Sequence, residues 1–506
     1  MAWIVGDSFD YYSSTGDTAR SVWDSSNTAG AAMQLSAPRF TPGQSLGFGN
    51  NATFLTKNFG SNESTVWVNF AYYRPGALTV NSPEVWHSFF DGGTAQCTLA
   101  FFGNGNIVLL RGGSGGTVIA TYTAGFNQDV WTHFQCQIVF NGTTGSLTIR
   151  KNGSPTNNFS ATGLNTISTA NAYANSYANG FGSSGSVTWP QVDDLFLFSS
   201  SGAAPNTWVG DVRAICLMPV ADTAQKNFAP QPTNTLTFGP GSIFASPTTL
   251  NANTMYVTGI VAPNRGGPVT KLTATSSGAA TGHVQMAVYA NDGPAGQPGT
   301  LLGTSAVVTN PPASGTVDFT FATPVNLSPA RKYYFAFLLD VNWAVQVASG
   351  ITGSAYLVAR TYGSGFPNPA NAGGALGVNP GNSPYAVATV VGNCTCVSEL
   401  LANGDTDYVT STNPTDEDLY LVDSLPVTPA AIIGVVSKVY VKKSDAGART
   451  GQLRVKSGAT EVAGVDTAVS TTYTYLARVD TTDPNTGAAW TQAGVNALTV
   501  GQRVTS

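Results

Sequence analysis

The sequence predicts an all-β, multi-domain protein, and three observations predict it. Charged residues are 10% of the 506, while Gly reaches 56 and Pro 28, against roughly a quarter charged in an average soluble domain. Solubility then rests on Ser, Thr, Asn and Gly, and the chain must turn often. Apolar residues reach 42% and aromatics 10%, spread along the chain, which separates it from a disordered polymer. Few windows carry the i, i+3, i+4, i+7 apolar spacing of an amphipathic helix. At roughly 150 residues per domain the length allows about three domains.

Residues 1–228 read as a first β domain, a series of aromatic and β-branched runs cut by glycine turns. In Ser64–Tyr73, Val66, Val68, Phe70 and Tyr72 share one face and Trp67, Asn69, Ala71 and Tyr73 the other. The expectation is one core face and one partly wet face. Thr132–Phe140, the turn Asn141-Gly142-Thr143-Thr144-Gly145 and Ser146–Gly153 read as strand, hairpin, strand. Prolines in Phe228-Ala229-Pro230-Gln231-Pro232-Thr233-Asn234 argue against ladder bonding and place a boundary there. Residues 234–390 form a second set, with strands Val284–Tyr289 and Lys332–Leu339 around a Gly/Pro loop, Asn291–Gly299. The turn-rich stretch Tyr362–Tyr385 reads as a long surface loop ending it. Residues 397–506 open with acidic runs and continue into strands such as Val435–Val441, a third β segment. No repeat of solenoid or propeller period, collagen tract or heptad tract is present.

A net charge of −5 with no Lys/Arg run disfavours a nucleic-acid partner. The opening Met1-Ala2-Trp3-Ile4-Val5-Gly6-Asp7 has neither a basic n-region nor an apolar h-region, and no 18-residue apolar stretch follows. No export signal and no membrane partner are therefore expected. Five scattered cysteines, Cys97, Cys136, Cys216, Cys394 and Cys396, do not make a disulfide framework and read as small buried hydrophobes.

The chemistry-bearing residues favour bland readings. Asp193-Asp194 invites a two-carboxylate glycosidase, but neighbours on a strand point to opposite faces; a structural role is expected. His87, His133 and His283 stand without a Gly-x-Ser-x-Gly elbow or a His-Glu-x-x-His pair. No catalytic residue, cofactor or metal site is assigned, and no enzymatic activity is expected. Ca²⁺ at Asp405, Asp407, Asp416, Glu417 and Asp418 is conceivable but unsupported, because the spacing is not that of an EF-hand. Aromatics amid Asn, Ser and Thr suit sugar stacking. Trp86, Tyr173, Tyr177, Trp208 and Trp343 are the candidate glycan contacts, with core packing the competing reading for each.

The N-terminal segment resembles the concanavalin A-like, LamG-type jelly rolls of tailed-phage head and tail proteins. The resemblance rests on Gly6-Asp7-Ser8-Phe9-Asp10-Tyr11-Tyr12, Pro38–Leu46, Val130-Trp131-Thr132-His133, Val192-Asp193-Asp194-Leu195 and Trp208-Val209-Gly210-Asp211-Val212-Arg213. The C-terminal segment looks like the companion module of the same proteins, in Gly404–Val409, Asp418-Leu419-Tyr420, Lys443–Arg449 and Asp483–Trp490. The segment between resembles surface-decorating sandwiches with Tyr289-Ala290-Asn291-Asp292-Gly293 followed by Gly296–Leu302, and reads as an insert that projects outward. The resemblance implies a virion structural protein, assembled in the bacterial cytoplasm as a homo-oligomer with other virion proteins and open to a host-surface glycan. A tail-fibre receptor-binding adhesin and a glycan depolymerase are the alternatives.

Overall fold

A computed structural model describes residues 3–12, 22–27, 31–34, 39–40, 44–48, 54–77, 81–181, 190–202, 205–231, 235–238, 247–262, 266–329, 331–348, 355–370, 377–378, 383–384, 386–400 and 403–506. Pro38 and Thr41–Gly43 of one motif, and much of the stretch after Ala370, lie outside them. The described residues are strands and turns with one short α-helix, Gln492–Asn496. Its Thr491 cap accepts the Gly494 N–H. No helix among them is long and apolar enough to cross a membrane. The chain divides into two units: Met1–Cys216 with Ser424–Leu498 and Gln502–Ser506, and Leu217–Asp423 with Thr499–Gly501.

The first unit is built on a jelly-roll sandwich of two antiparallel sheets. One runs Phe159–Leu164, Gly145–Lys151, Thr132–Val139, Thr65–Tyr73, Gln191–Ser199, Ser45–Phe48, Ala31–Gln34, with Trp3–Asp7 added on Gln191–Ser199. The other runs Thr117–Tyr122, Ile107–Arg111, Thr94–Phe102, Pro83–Asp91, Ala174–Phe181, Phe54–Glu63, Ser25–Asn27. Strands distant in sequence become neighbours: Thr65–Tyr73 lies between Thr132–Val139 and Gln191–Ser199. Val66, Val68, Phe70 and Tyr72 enter the core between the sheets with Phe134, Cys136, Ile138, Leu147 and Ile149.

The opposite face of that strand is not wet. Trp67, Asn69 and Ala71 are all buried. Trp3, Trp67, Phe196, Phe198 and Val212 form a second apolar cluster, closed by Trp208, Val209, Ile433 and Val436. The cover comes from the 205–214 segment and from an antiparallel ribbon of Val435–Val441 with Thr474–Asp480. On the ribbon face that carries Val436, Lys438 and Tyr440, the Lys438 Nζ lies 3.9 Å from Asp7 and 4.0 Å above the Tyr11 ring. Tyr475 packs on both Tyr440 and Tyr11. Gly6 has no room for a side chain: a Cβ there would lie 2.5 Å from the rings of Phe196 and Trp3.

The second unit holds its own sandwich. One sheet runs Thr235–Phe238, Ala386–Val391, Gly267–Ser276, Trp343–Val345, Thr248–Leu250, with Gly315–Leu327 on Gly267–Ser276. The other runs Leu301–Thr304, His283–Ala290, Lys332–Leu339, Thr254–Val261, Ala355–Ala359, Gly377–Val378. Leu272, Val288, Phe319, Phe337 and Trp343 fill the space between. The incoming Thr235 and the outgoing Val391 are registered partners. Residues 362–370 are not a free surface loop, as their composition suggested. Phe366 and Ala370 pack on Met255, Tyr289 and Tyr334 behind the second sheet, and the Tyr289 hydroxyl donates to the Pro367 carbonyl at 2.8 Å. Ala229–Gln231 pairs with Tyr408–Thr410 despite Pro230; a two-stranded ladder leaves an outer edge where a missing N–H costs nothing.

Candidate functional site

The motif carboxylates come first, because they are where chemistry would be sought. Asp7 accepts from the Tyr11 hydroxyl at 2.7 Å, the Tyr12 hydroxyl at 2.6 Å and the Trp23 indole at 2.8 Å. Arg39 donates through its backbone to Asp193 at 3.0 Å and through its guanidinium to Asp194 and the Val212 carbonyl, each at 3.0 Å, and to Asp211. The Arg39 and Arg213 guanidiniums both lie over the Phe40 ring. Three stretches far apart in the chain, Arg39-Phe40, Asp193-Asp194 and Asp211–Arg213, thus meet in one ionic knot. Burial pushes Asp10 up to about 8 and Asp194 up to about 6, the latter against the lowering effect of Arg39. Asp193 is raised by burial and by its carboxylate neighbours Asp194 and Asp10. These groups are enclosed, so no glycosidic bond can lie between them.

The histidines divide. His87 and His133 are buried, and burial drives them down to about 3 and about 4, far from the value near 7 that suits a general acid or base. His87 Nδ1 lies 2.6 Å from the Tyr177 hydroxyl, inside the core. His283 is half-exposed, pairs with Asp340 at 2.7 Å and stacks on Tyr362. The five thiols are unbridged and only Cys216 is other than buried.

In the second unit the Asp418 carboxylate accepts from the backbone of Asn227 and Phe228, the Asn393 amide and the Tyr420 hydroxyl. Asp416 accepts from Ser411 and Asn413. These oxygens serve the chain, and among the described residues no group of three or more His, Cys, Asp or Glu is placed to hold a metal.

The five aromatic candidates do not form one platform. Tyr177 and Trp343 are buried, the first on Phe89 and Trp23, the second with its indole N–H on Ser276 at 3.0 Å; neither can stack a ligand. Trp208 carries the Arg150 guanidinium 4.1 Å above its ring and leans on the Trp67 cluster, so it too is spent. Trp86 is half-buried on the outer face of the seven-stranded sheet, against Ala100, Val108 and Leu110. It is registered opposite Gly180, at the far end of Ala174–Phe181 from Tyr173, roughly 20 Å away at ~3.3 Å per residue.

Tyr173 stands in a polar rim that sequence reading missed. The hairpin residue Asp91 accepts from the Thr169 hydroxyl at 2.8 Å, the Asn171 amide at 2.9 Å and the Asn175 amide at 3.4 Å. Gln96 fixes the 168–173 loop from beneath. Its amide nitrogen donates to Thr169 Oγ1 and to the carbonyls of Asn171 and Tyr173, and its oxygen accepts from the backbone of Ser168 and Thr169. Asn171 is exposed, and Asp91, Thr169, Tyr173 and Asn175 are half-buried. A carboxylate, two amides, a hydroxyl and a phenol ring held at the surface by a buried glutamine can match the alternating donors, acceptors and C–H faces of a sugar. The signal in the sequence was the Asn/Tyr density of Thr169–Asn179; the partner Asp91 carries none.

No family model matches the chain, and no curated protein matches it. Among solved structures it is similar to the carbohydrate binding module CBM66 from Bacillus subtilis, at 10% identity over 34% of this chain and 96% of that one, TM-score 0.22. It is similar to the catalytic domain of a glycoside hydrolase family 131 protein from Coprinopsis cinerea, at 19% over 41% and 98%, TM-score 0.27. It is also similar to a carbohydrate esterase of the Shiga toxin-encoding bacteriophage phi24B, at 14% over 39% and 100%, TM-score 0.28.

Proposed function

We propose that the chain is a non-catalytic recognition protein of a phage particle, assembling as a homo-oligomer with other virion proteins and contacting host-surface glycan through the rim of Asp91, Thr169, Asn171, Tyr173 and Asn175. The observation that carries the glycan reading is the hold of Gln96 on the 168–173 loop, which presents an aromatic ring and amide groups already in place. Preorganisation of this kind lowers the ordering cost of binding. The weakness of a single shallow site is offset by repetition in an oligomer, where linked copies raise avidity by roughly 10² or more. Phage origin and virion placement rest on the sequence motifs, of whose described residues Asp7, Arg39, Asp193 and Asp194 build structure, as a scaffold requires.

The test is a host-glycan and whole-cell panel read for binding and for released reducing ends together. Binding without release is expected, with Tyr173→Ala weakening it at least about tenfold, the loss of roughly 1.4 kcal/mol that one stacked ring supplies, at unchanged thermal stability. Release of reducing ends would replace this reading with a depolymerase. Full binding by Tyr173→Ala would remove the rim.

A further inference from the structure

Between the apolar cluster around Trp67 and the ionic knot around Arg39, the outer face of the eight-stranded sheet carries a third, polar zone. Asn69 and Gln135 are registered partners on adjacent strands, with Cβ atoms about 5 Å apart; His133 lies two residues along the same strand. All three are at most 2% exposed. Above them the 205–214 segment crosses, and the Gly210 N–H donates to Gln135 Oε1 at 3.1 Å. That bond satisfies one atom. Both side-chain atoms of Asn69, both ring nitrogens of His133 and Gln135 Nε2 lack a hydrogen-bond partner, as does the Trp67 indole nitrogen. Rotating the Asn69 amide does not help, since neither of its ends has a partner.

Buried polar atoms in native proteins are almost always satisfied, by the chain or by something bound. Left dry, six such atoms would cost on the scale of a domain's net stability. What they need is mixed: the Asn69 oxygen and one nitrogen of a neutral imidazole accept, while the two amide nitrogens, the other imidazole nitrogen and the indole donate. An anion offers acceptors alone, and the nearby Arg39 charge is already spent on Asp194 and Asp211. A cation answers only the acceptors, the Asn69 oxygen and one imidazole nitrogen, and leaves the N–H donors unmet. A neutral molecule that both donates and accepts answers the whole set, and water needs only two to four such partners.

We infer an internal hydration site, a small cluster of ordered waters bridging Asn69, Gln135 and His133 beneath the 205–214 segment. The segment is thus seated on the sheet through water at its middle and by direct contacts at its two ends.

A crystal structure of the full chain that resolves ordered water is expected to show density within hydrogen-bond distance of Asn69 Oδ1 and Gln135 Nε2. Absence of density there, or the two amides bonded directly to each other, overturns the inference. In solution, water-oxygen relaxation dispersion counts long-lived internal waters. Asn69→Leu is expected to lose at least one of them, and an unchanged count in a folded Asn69→Leu variant overturns the inference independently.

Discussion

Asp10 is a carboxylate kept out of water for the sake of one backbone contact, the Gln44 N–H it accepts at 2.9 Å. Burial pushes it from 3.8 up to about 8, so the folded chain holds that proton more tightly than the unfolded one. Its contribution to stability is complete below about pH 4 and is lost as pH rises through 8. His87 and His133, driven below their usual 6.5, act in the opposite sense: their contribution is complete above 6.5 and fades as pH falls toward 4 and 3. Asp10→Asn keeps an oxygen for Gln44 and removes the titration. The difference in unfolding free energy between Asp10→Asn and the parent, from urea titrations across pH 4–9, is expected to grow with pH by up to about 1.4 kcal/mol per unit. A flat difference would mean that Asp10 ionises freely in the folded chain.

At the scale of elements, the 205–214 segment is held by a side chain more than 160 residues away in sequence. Removing that side chain strands two carboxylates, one of them buried. Arg39→Ala is expected to cost about 3–5 kcal/mol and to open a protease-sensitive bond between Asn206 and Cys216. Arg39→Lys should recover only part, because a single ammonium cannot reach Asp194, Asp211 and the Val212 carbonyl together; limited proteolysis with mass mapping reads both. The segment also explains where the sequence could and could not be read. Alternation in Thr65–Tyr73 and the hairpin after Thr132 were legible, since period-two patterning is local physics. Which face of Thr65–Tyr73 is covered was not, because the cover comes from residues near 210 and 433. For the same reason Tyr177 and Trp343 looked like platforms: an aromatic among Asn and Ser has the same local text inside a core as on a rim. Asp193-Asp194 was expected to point to opposite faces, but the register shifts just after Asp193 and Asp194 takes a φ of 49°, so both carboxylates meet Arg39, a partner beyond reach of any local pattern.

Over the whole molecule, the second sandwich begins and ends on paired strands, with Thr235 and Val391 as partners whose Cα atoms are therefore about 5 Å apart. Replacing residues 235–391 by a two-residue Asn-Gly turn is expected to leave a protein that unfolds cooperatively by circular dichroism and keeps the Asp418 contacts. Loss of cooperative unfolding would show that the sandwich is integral rather than inserted. The first unit has the converse organisation, with 1–216 completed by Ser424–Leu498 and Gln502–Ser506. About 200 residues separate its two parts, which at roughly 5–20 residues per second is a delay on the order of 10–40 s during synthesis. Throughout that interval Trp3, Trp67, Phe196 and Phe198 have left the ribosome without Ile433 and Val436. A nascent chain in this state presents an aromatic surface to solvent, open to association with other chains until the last strands emerge.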